Sequence, residues 1–341
     1  MAEYDLSAQA KPPTLYDVAR SAGVSHQTVS RVVKGESNIR ADLRQRIEAA
    51  IRELDYRPNL TARALASSSR YRIGAIVYEF LEVGPSRMVK GASDGAKDAG
   101  YVLDILSLGA RDSHSVEESL SIINPHDLAG LLVIAPSDPV MELIEKVGFT
   151  LPVHIESESL PESAPSQQAP NQRVAIEMVE HLVALGHRRF FHVSGPQEWA
   201  VARTRANAYW RGVEDAGGVS VGSIAGDWTP ASGYAAGMAM PLDEGITAVV
   251  AGNDQMALGV LAALADRGVR VPEQLSVVGF DDIPEAAYFR PALTTVHRDF
   301  EGQGRVAVET LISRLNEGRT PVSELVESQL VIRDSSGPAP R

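Results

Sequence analysis

Between residues 71 and 333 short apolar runs alternate with stretches of helical periodicity, and this alternation limits the fold more than any other feature. The runs fall at 73–78, 101–106, 130–134, 151–155, 190–194, 248–251 and 276–280. Between them apolar residues recur at helical spacing, for example over 175–185 and 256–265. A strand that is apolar along its whole length must be covered on both faces, and parallel neighbours need a crossover helix. The pattern therefore predicts α/β architecture, with parallel sheets and helices on both faces. The span is too long for one small sheet, so two similar lobes around a cleft are expected.

Charge is divided unevenly along the chain. The 341 residues carry a formal net charge of -12, which on average argues against a nucleic-acid partner. Residues 11–70 nevertheless hold 11 Lys and Arg against 6 Asp and Glu, whereas residues 71–341 hold 21 against 36. A small basic head on a large acidic body implies two tasks in one chain. A hydrophobic fraction of 44% with 22% charged residues excludes whole-chain disorder. Cysteine is absent, which removes disulfides, thiolate catalysis and Cys-based zinc sites together. The histidines show no metal-ligand spacing, and neither a metal nor another cofactor is expected. No apolar run is long enough for a bilayer, and Met1-Ala-Glu-Tyr-Asp-Leu-Ser lacks the basic and apolar regions of a secretory signal. A cytoplasmic protein with no membrane partner is expected.

The head reads as three helices. Leu15, Val18, Ala19 and Ala22 follow the i, i+3, i+4, i+7 spacing of an amphipathic helix, which Gly23 interrupts. Ser25 suits the N-cap of a second helix that buries Val29 and Val33 on one face. His26, Gln27, Ser30 and Arg31 point elsewhere, with Lys34 just beyond. A third helix is predicted from near Ala41, burying Leu43, Ile47, Ile51 and Leu54, with Arg40 where a capping Ser or Thr is usual. Two short helices joined by a tight Gly turn and braced by a third make a helix-turn-helix. Its second helix needs a docking face and a short polar face for base edges. Gln pairs with adenine N6/N7 and Arg with guanine O6/N7, while Ser, Thr and Lys supply phosphate contacts that fix register. Any one of these residues alone is more simply a solvated surface group; together with the basic excess they indicate DNA reading.

The stretch Thr14-Leu-Tyr-Asp-Val-Ala-Arg-Ser-Ala-Gly-Val-Ser-His-Gln-Thr-Val-Ser-Arg-Val-Val33 continues without a gap to Glu53-Leu-Asp-Tyr-Arg-Pro-Asn59. It resembles the DNA-binding head of the lactose-repressor/galactose-repressor (LacI/GalR) family of transcription regulators, in its lactose-repressor branch. The resemblance implies a helix-turn-helix domain over 11–57 in which His26, Gln27 and Arg31 read the major groove. Thr28, Ser30, Asn38, Tyr56 and Asn59 would touch the DNA backbone or set orientation, with Thr14, Leu15, Ser25 and Lys34 also at the DNA. His26 stands where that branch carries tyrosine, a change at a base-reading position. Pro58-Asn-Leu-Thr-Ala-Arg-Ala-Leu-Ala-Ser67 matches the family's hinge helix, within a hinge and linker over 58–70. So short a helix is marginal alone, and paired hinges of two subunits would stabilise one another in the minor groove. Ala62 would lie at the DNA, and Leu65 would wedge between base pairs and kink the duplex. Packing of Leu65 against the body is the plain alternative. Ser67-Ser68-Ser69 follows as a flexible link.

Family motifs recur in the body: Ala184-Leu-Gly-His-Arg-Arg-Phe190, Ala251-Gly-Asn-Asp-Gln-Met-Ala-Leu-Gly259, Ser276-Val-Val-Gly-Phe-Asp-Asp282 and Pro291-Ala-Leu-Thr-Thr-Val296. They imply a two-lobed, periplasmic-binding-protein-like effector-binding and dimerisation domain with doubly wound parallel sheets. The amino-terminal lobe would take about 71–168 and 298–322, the carboxyl-terminal lobe about 169–297 and 323–333, with a flexible tail at 334–341. Ligands of such sheets lie beyond the carboxyl ends of the strands, where Arg205, Asn253 and Asp281 fall and where Trp228 follows 219–225. A sugar needs carboxylate, amide and guanidinium partners for its hydroxyls and a flat apolar face for its ring. The resemblance implies that Arg205, Asn253 and Asp281 are sugar-hydroxyl ligands, that Trp228 and Phe300 form the apolar wall, and that Gln255 lies at the site. Gly226-Asp-Trp228 points to a galactoside-type effector.

Departures from the pattern concern the far end of the cleft. Tyr78 and Glu82 stand where the branch is smaller or apolar, Gln303 replaces a leucine, and Ser157, beside Glu156, replaces an aspartate. An oligosaccharide or polar glycoside suits that end better than an alkyl one. Asp254 and Asp282 are expected to hold loops through backbone hydrogen bonds. Trp199 and Trp210 are open between core and cleft rim. Met256, Leu258 and Leu261 fit a core, and the resemblance places part of their helix at a subunit interface.

The function expected is a dimeric repressor of a sugar-utilisation operon, bound to near-palindromic operator DNA and released by a sugar between the lobes. Within the class, a purine or phosphosugar effector, also as co-repressor, is the alternative. A sugar-binding transport protein shares the body but calls for a signal peptide and no helix-turn-helix. An enzyme needs paired carboxylates or a nucleophile and base, and none emerges at readable spacing. Residues 331–341 contain no leucine heptads, so a dimer rather than a tetramer is expected.

Overall fold

The computed structural model describes residues 13–33, 39–56, 71–109, 127–134, 137–156, 170–317 and 328–341. The chain divides into two compact units, one ending at Arg70 and the other starting at Tyr71. Lys34, Asn38, Asn59, Ala62, Leu65 and Ser157, with the hinge and linker, lie outside the described residues.

In the first unit Thr14 opens α1 (Leu15–Ala22) with a reciprocal cap: Asp17 N donates to Thr14 Oγ1, and Thr14 N donates to Asp17 Oδ2 at 2.9 Å. The chain then turns at Gly23, whose φ of +64° is the left-handed conformation that glycine adopts without strain. Ser25 Oγ accepts Thr28 N at 3.2 Å at the start of α2 (His26–Val33). The third helix, α3 (Ala41–Glu53), begins without a side-chain cap at Arg40. Arg46 Nη2 reaches from α3 to Ala22 O at 2.6 Å and ties the two helix ends together. Val18, Val29 and Ile47 are fully buried at the centre. Two positions differ from expectation. Val32 rather than Val33 joins Val29 inside, and Ala50 is buried beside Ile47 while Leu43, Ile51 and Leu54 pack half-buried around them.

Among the described residues the second unit holds two four-stranded parallel sheets. The first lobe runs β1 (Arg72–Tyr78), α4 (Val83–Asp98), β2 (Val102–Leu108), β3 (Gly130–Ile134), α5 (Asp138–Val147) and β4 (Val153–Glu156), with strand order β2-β1-β3-β4. Alternation along β1 sends Ile73, Ala75 and Val77 to one core and Ile76 to another, so both faces of the sheet are covered. The second lobe runs α6 (Pro170–Ala184), β5 (Arg189–Ser194), α7 (Ala200–Asp215), β6 (Val219–Ala225), α8 (Pro230–Ala239), β7 (Ala248–Ala251), α9 (Asp254–Asp266) and β8 (Ser276–Val278), with order β6-β5-β7-β8. The apolar run 276–280 is a strand only to Val278, because Gly279 N turns to Thr294 O at 2.9 Å.

After β9 (Thr295–His297) the chain returns to the first lobe as α10 (Phe300–Glu317), which packs along α4. Contact there is backbone on backbone: a Cβ on Gly91 would lie 1.8 Å from Glu301 O. β10 (Gln329–Val331) then pairs antiparallel with β9 in the second lobe. In α9, Met256 and Leu261 are buried and Leu258 is exposed. Trp199 is buried and Trp210 is exposed.

Residues 334–341, expected to form a flexible tail, are instead docked on the second lobe. Ser335 is fully buried, donating to Val277 O at 2.6 Å and accepting Thr294 N at 2.8 Å. His187, also fully buried, bonds Gly337 O at 3.0 Å, and Ala339 N donates to Leu185 O at 2.9 Å. The small polar residues that read as a loose end are strap residues whose hydrogen bonds are internal. Ser335→Ala strands the buried Thr294 N–H, and urea unfolding should show a loss of about 1–3 kcal/mol.

Candidate functional site

Two polar surfaces collect the predicted residues. On the head, His26, Gln27 and Arg31 are exposed on α2, and Ser30 is half-buried. Thr28 and Ser25 share a hydroxyl hydrogen bond of 2.9 Å at the helix start. The His26 ring lies 5.0 Å from that of Tyr16, which is exposed beside it and was not among the expected contacts. Thr14 is engaged in its cap, which pulls the Asp17 carboxyl below its ordinary range. Leu15 packs half-buried against the core. Tyr56, expected at the DNA backbone, is a core residue, because the chain after α3 folds back with Tyr56 N on Ile51 O.

In the body, the strand ends of the second sheet bring the polar set together. Arg205, in the second turn of α7, is 7% exposed, and Asp281, just beyond β8, is 8% exposed. Arg205 Nη2 donates to Asp281 Oδ1 at 3.0 Å and Nη1 to Gly252 O at 2.5 Å. The guanidinium lies 4.0 Å above the Phe280 ring, a cation–π seat that also excludes water. Asn253 caps α9, accepting Met256 N at 2.8 Å, and its Nδ2 donates to Trp228 O at 3.0 Å. The amide is thereby committed to holding Trp228, which sits at a φ of +71°. Gly195 is required beneath it, since a Cβ there would come within 2.1 Å of the indole ring. Gln255 stands half-buried in the first turn of α9.

Phe300 opens α10, buried under the guanidinium of Arg298 at 4.4 Å. Arg298 was missed by sequence reasoning. It is 4% exposed, donates to Gln303 Oε1 at 3.0 Å, and places Nη1 3.9 Å from the same Asp281 oxygen that Arg205 binds. It stands on the crossover between β9 and α10, so it touches residues of both lobes. Its position after the Thr-Thr-Val motif is the only signal that pointed to it.

The first lobe contributes Tyr78, at the end of β1, and Glu82, just before α4. The Tyr78 ring lies 5.3 Å from Trp199 of the other lobe. Burial, reinforced by the charges of Glu79, Asp227 and Asp281, pushes the Glu82 carboxyl up to about 7. Asp227 is held low by its hydrogen bond from Thr229. Two further carboxylates are structural. Asp254, fully buried, accepts Ile283 N at 2.9 Å and Thr295 Oγ1 at 2.5 Å, while burial raises its pKa. Asp282 holds its loop through side chains rather than backbone, bonding Arg333 at 2.7 Å and His297 at 3.0 Å. Among the described residues no His, Asp and Glu cluster has the form of a metal site, and no helix is long and apolar enough to cross a membrane.

Two family models match the chain. One, described as "Bacterial regulatory proteins, lacI family", covers residues 14–59, and one described as "Periplasmic binding protein-like domain" covers 179–336. The lactose operon repressor of Escherichia coli (strain K12) is 33% identical over 315 residues, spanning 91% of this chain and 86% of that protein. A solved lac repressor dimer bound to operator and the anti-inducer ONPF is similar at a TM-score of 0.76 and 31% identity, over 96% of this chain and 100% of that one. The transcriptional regulator CelR in complex with cellobiose reaches 0.68 at 29% identity, over 95% and 100%.

Glu82 carries a pH signature. Its folded-state pKa lies above the ordinary value of 4.5, so folding takes up a proton, and the stability this contributes is lost as pH rises from there through about 7. Thermal unfolding of Glu82→Gln should lack that decline, gaining on the wild type above neutrality.

Proposed function

This chain belongs to the LacI family of bacterial regulatory proteins, and from that premise we propose that it is released from its operator by a galactoside-like sugar held between the lobes. Its homologues are transcriptional repressors, not enzymes, and the coarse function is DNA-binding repression of sugar operons. The head would act as a dimer on a near-palindromic site, with Gln27, Arg31 and His26 at base edges and Thr28 and Ser30 at phosphates. Lys34, Asn38, Asn59, Ala62 and Leu65 keep the DNA roles that the resemblance implies.

The observation that carries the effector reading is the buried Arg205–Asp281 pair, set beside the Asn253-held indole of Trp228 at the carboxyl ends of parallel strands. A guanidinium and a carboxylate side by side offer donors and acceptors to vicinal hydroxyls, and the indole offers a flat face to a ring. Tyr78, Glu82, Gln255, Phe300 and Ser157 complete the proposed cleft set. A neutral sugar is favoured over a phosphosugar, because the charges of Glu79, Asp227 and Asp281 near Glu82 oppose an added anion.

Gel-shift titration on an operator selected from random DNA tests both halves. Gln27→Ala and Arg31→Ala should each weaken specific binding by about 1–3 kcal/mol and relax sequence preference. Lactose or methyl β-galactoside should release the wild type but not Asp281→Asn; tighter operator binding with sugar, or response to a purine alone, would refute this reading.

A further inference from the structure

The turn after β8 holds its backbone in a conformation that its own residues disfavour. Asp281 sits at a φ of +114° and Asp282 at +52°, two consecutive residues on the left-handed side, neither of them glycine. Such conformations are strained for a residue with a Cβ and persist only where the surrounding structure imposes them. Glycine at 281 would remove the strain but would offer no carboxylate to Arg205. The flanks are fixed by backbone hydrogen bonds. Gly279 N donates to Thr294 O and Asp281 N to Val296 O, each at 2.9 Å, and Ile283 N reaches the Asp254 carboxylate at 2.9 Å. Asp282, between them, is held by its side chain, which is 16% exposed. Its Oδ1 accepts Arg333 Nη2 at 2.7 Å, and its Oδ2 lies 3.0 Å from His297 Nδ1. Arg333 comes from a distant part of the chain, just after β10. Its Nη1 donates to Leu293 O at 2.8 Å, so one guanidinium ties the two ends of the 282–293 loop. The Arg333 backbone is pinned in turn: its N–H donates to Thr294 Oγ1 at 2.9 Å, and Thr294 Oγ1 donates to Arg333 O at 3.1 Å. The strap that follows anchors the same threonine, Ser335 Oγ accepting Thr294 N and Ser336 Oγ bonding Thr294 Oγ1, both at 2.8 Å.

We infer that Arg333 is a positioning residue: by gripping Asp282 it imposes the left-handed backbone that aims the Asp281 carboxylate at Arg205. The inference rests on the sugar-effector reading for its ligand readout alone, since the hold on the turn exists without sugar. Relaxation of Asp282 towards negative φ swings its carboxylate away and breaks a charge-assisted hydrogen bond that is largely shielded from water. The planar guanidinium fork keeps Asp282 Oδ1 and Leu293 O at a fixed separation. A lysine ammonium is a point charge without that fork and makes a weaker tie. The strap thereby reaches the Arg205–Asp281 pair through one arginine, although neither Ser335 nor Ser336 belongs to it.

Amide hydrogen exchange of the full chain, without sugar, tests the hold on the turn. In Arg333→Met the Asp281 and Ile283 amides should exchange about tenfold faster, the loss expected of a hydrogen bond to a charged group. Arg290→Met removes an arginine of the same loop that bonds only its neighbours' carbonyls, Tyr288 O and Phe289 O, and should leave those amides unchanged. Lactose release of the operator complex gives the second readout. Its midpoint should rise about tenfold in Arg333→Met and less in Arg333→Lys. Adding Asp282→Gly to Arg333→Met should return the midpoint towards wild type, because glycine adopts positive φ without being held. A contribution to overall stability alone would not be relieved by deleting a second side chain. Unchanged exchange at Asp281 and Ile283 in Arg333→Met, or a defect that Asp282→Gly deepens, overturns the positioning role. Arg333→Lys carries the same comparison should Arg333→Met fail to fold. A wild type that lactose does not release overturns the galactoside reading, and the exchange rates then decide the role of Arg333.

Discussion

A guanidinium and a carboxylate withdrawn from water together, Arg205 and Asp281, set the terms for the rest of the body. Taking both charges out of solvent costs several kcal/mol apiece, which their attraction repays only with good geometry and further hydrogen bonds. Those further contacts are present: Gly252 O and the Phe280 face for Arg205, and Arg298 for Asp281. Each comes from a different segment, and they coincide only because β5, β7 and β8 are parallel and end on the same side. Apolar residues of the same volume would serve stability as well. Kept at the carboxyl ends of the second sheet's strands, the pair suits the recognition role proposed for it.

Local chemistry made much of this legible. The Ser25 cap, the Gly23 turn and the alternation of apolar runs act over a few residues, and the sequence states them directly. Val32 went astray because a helix of two turns offers i+3 and i+4 partners almost equally, and only packing against α3 decides between them. The tail at 334–341 misled for another reason. Ser and Gly signal a turn or a loose end by composition, while their hydrogen bonds to Val277, Thr294 and Ser276 arise from strands about 40 to 60 residues earlier.

Arg298 and Trp199 illustrate what a linear reading leaves out. Arg298 acquires meaning only once the crossover sets it between Asp281 and Gln303. Trp199 is equally compatible with core and rim until Tyr78 and Ser137 of the other lobe are placed against it. Both depend on lobe meeting lobe, a relation that no periodicity encodes. By contrast Asn253 and Asp281 fall just beyond strand ends as expected, because the topology of a parallel sheet fixes where its loops converge, while Arg205 reaches the same place from the second turn of α7.

The contacts between the lobes oppose one another, and that balance matters more than the strength of either. The bidentate Asp138–Arg203 pair and the Tyr78–Trp199 contact draw the lobes together. Glu82 in the first lobe lies near Asp227 and Asp281 of the second, and its pKa is raised by burial above all, with the charges of Glu79, Asp227 and Asp281 adding to it. A ligand shifts such an equilibrium only by its differential affinity for the two arrangements. A hundredfold change corresponds to about 2.7 kcal/mol, within reach of a few hydroxyl contacts when the starting states are nearly matched. Strong cross-cleft bonding would put that change beyond a small neutral molecule, so the exposed ion pair and the nearby carboxylates suit the sugar control proposed for this body.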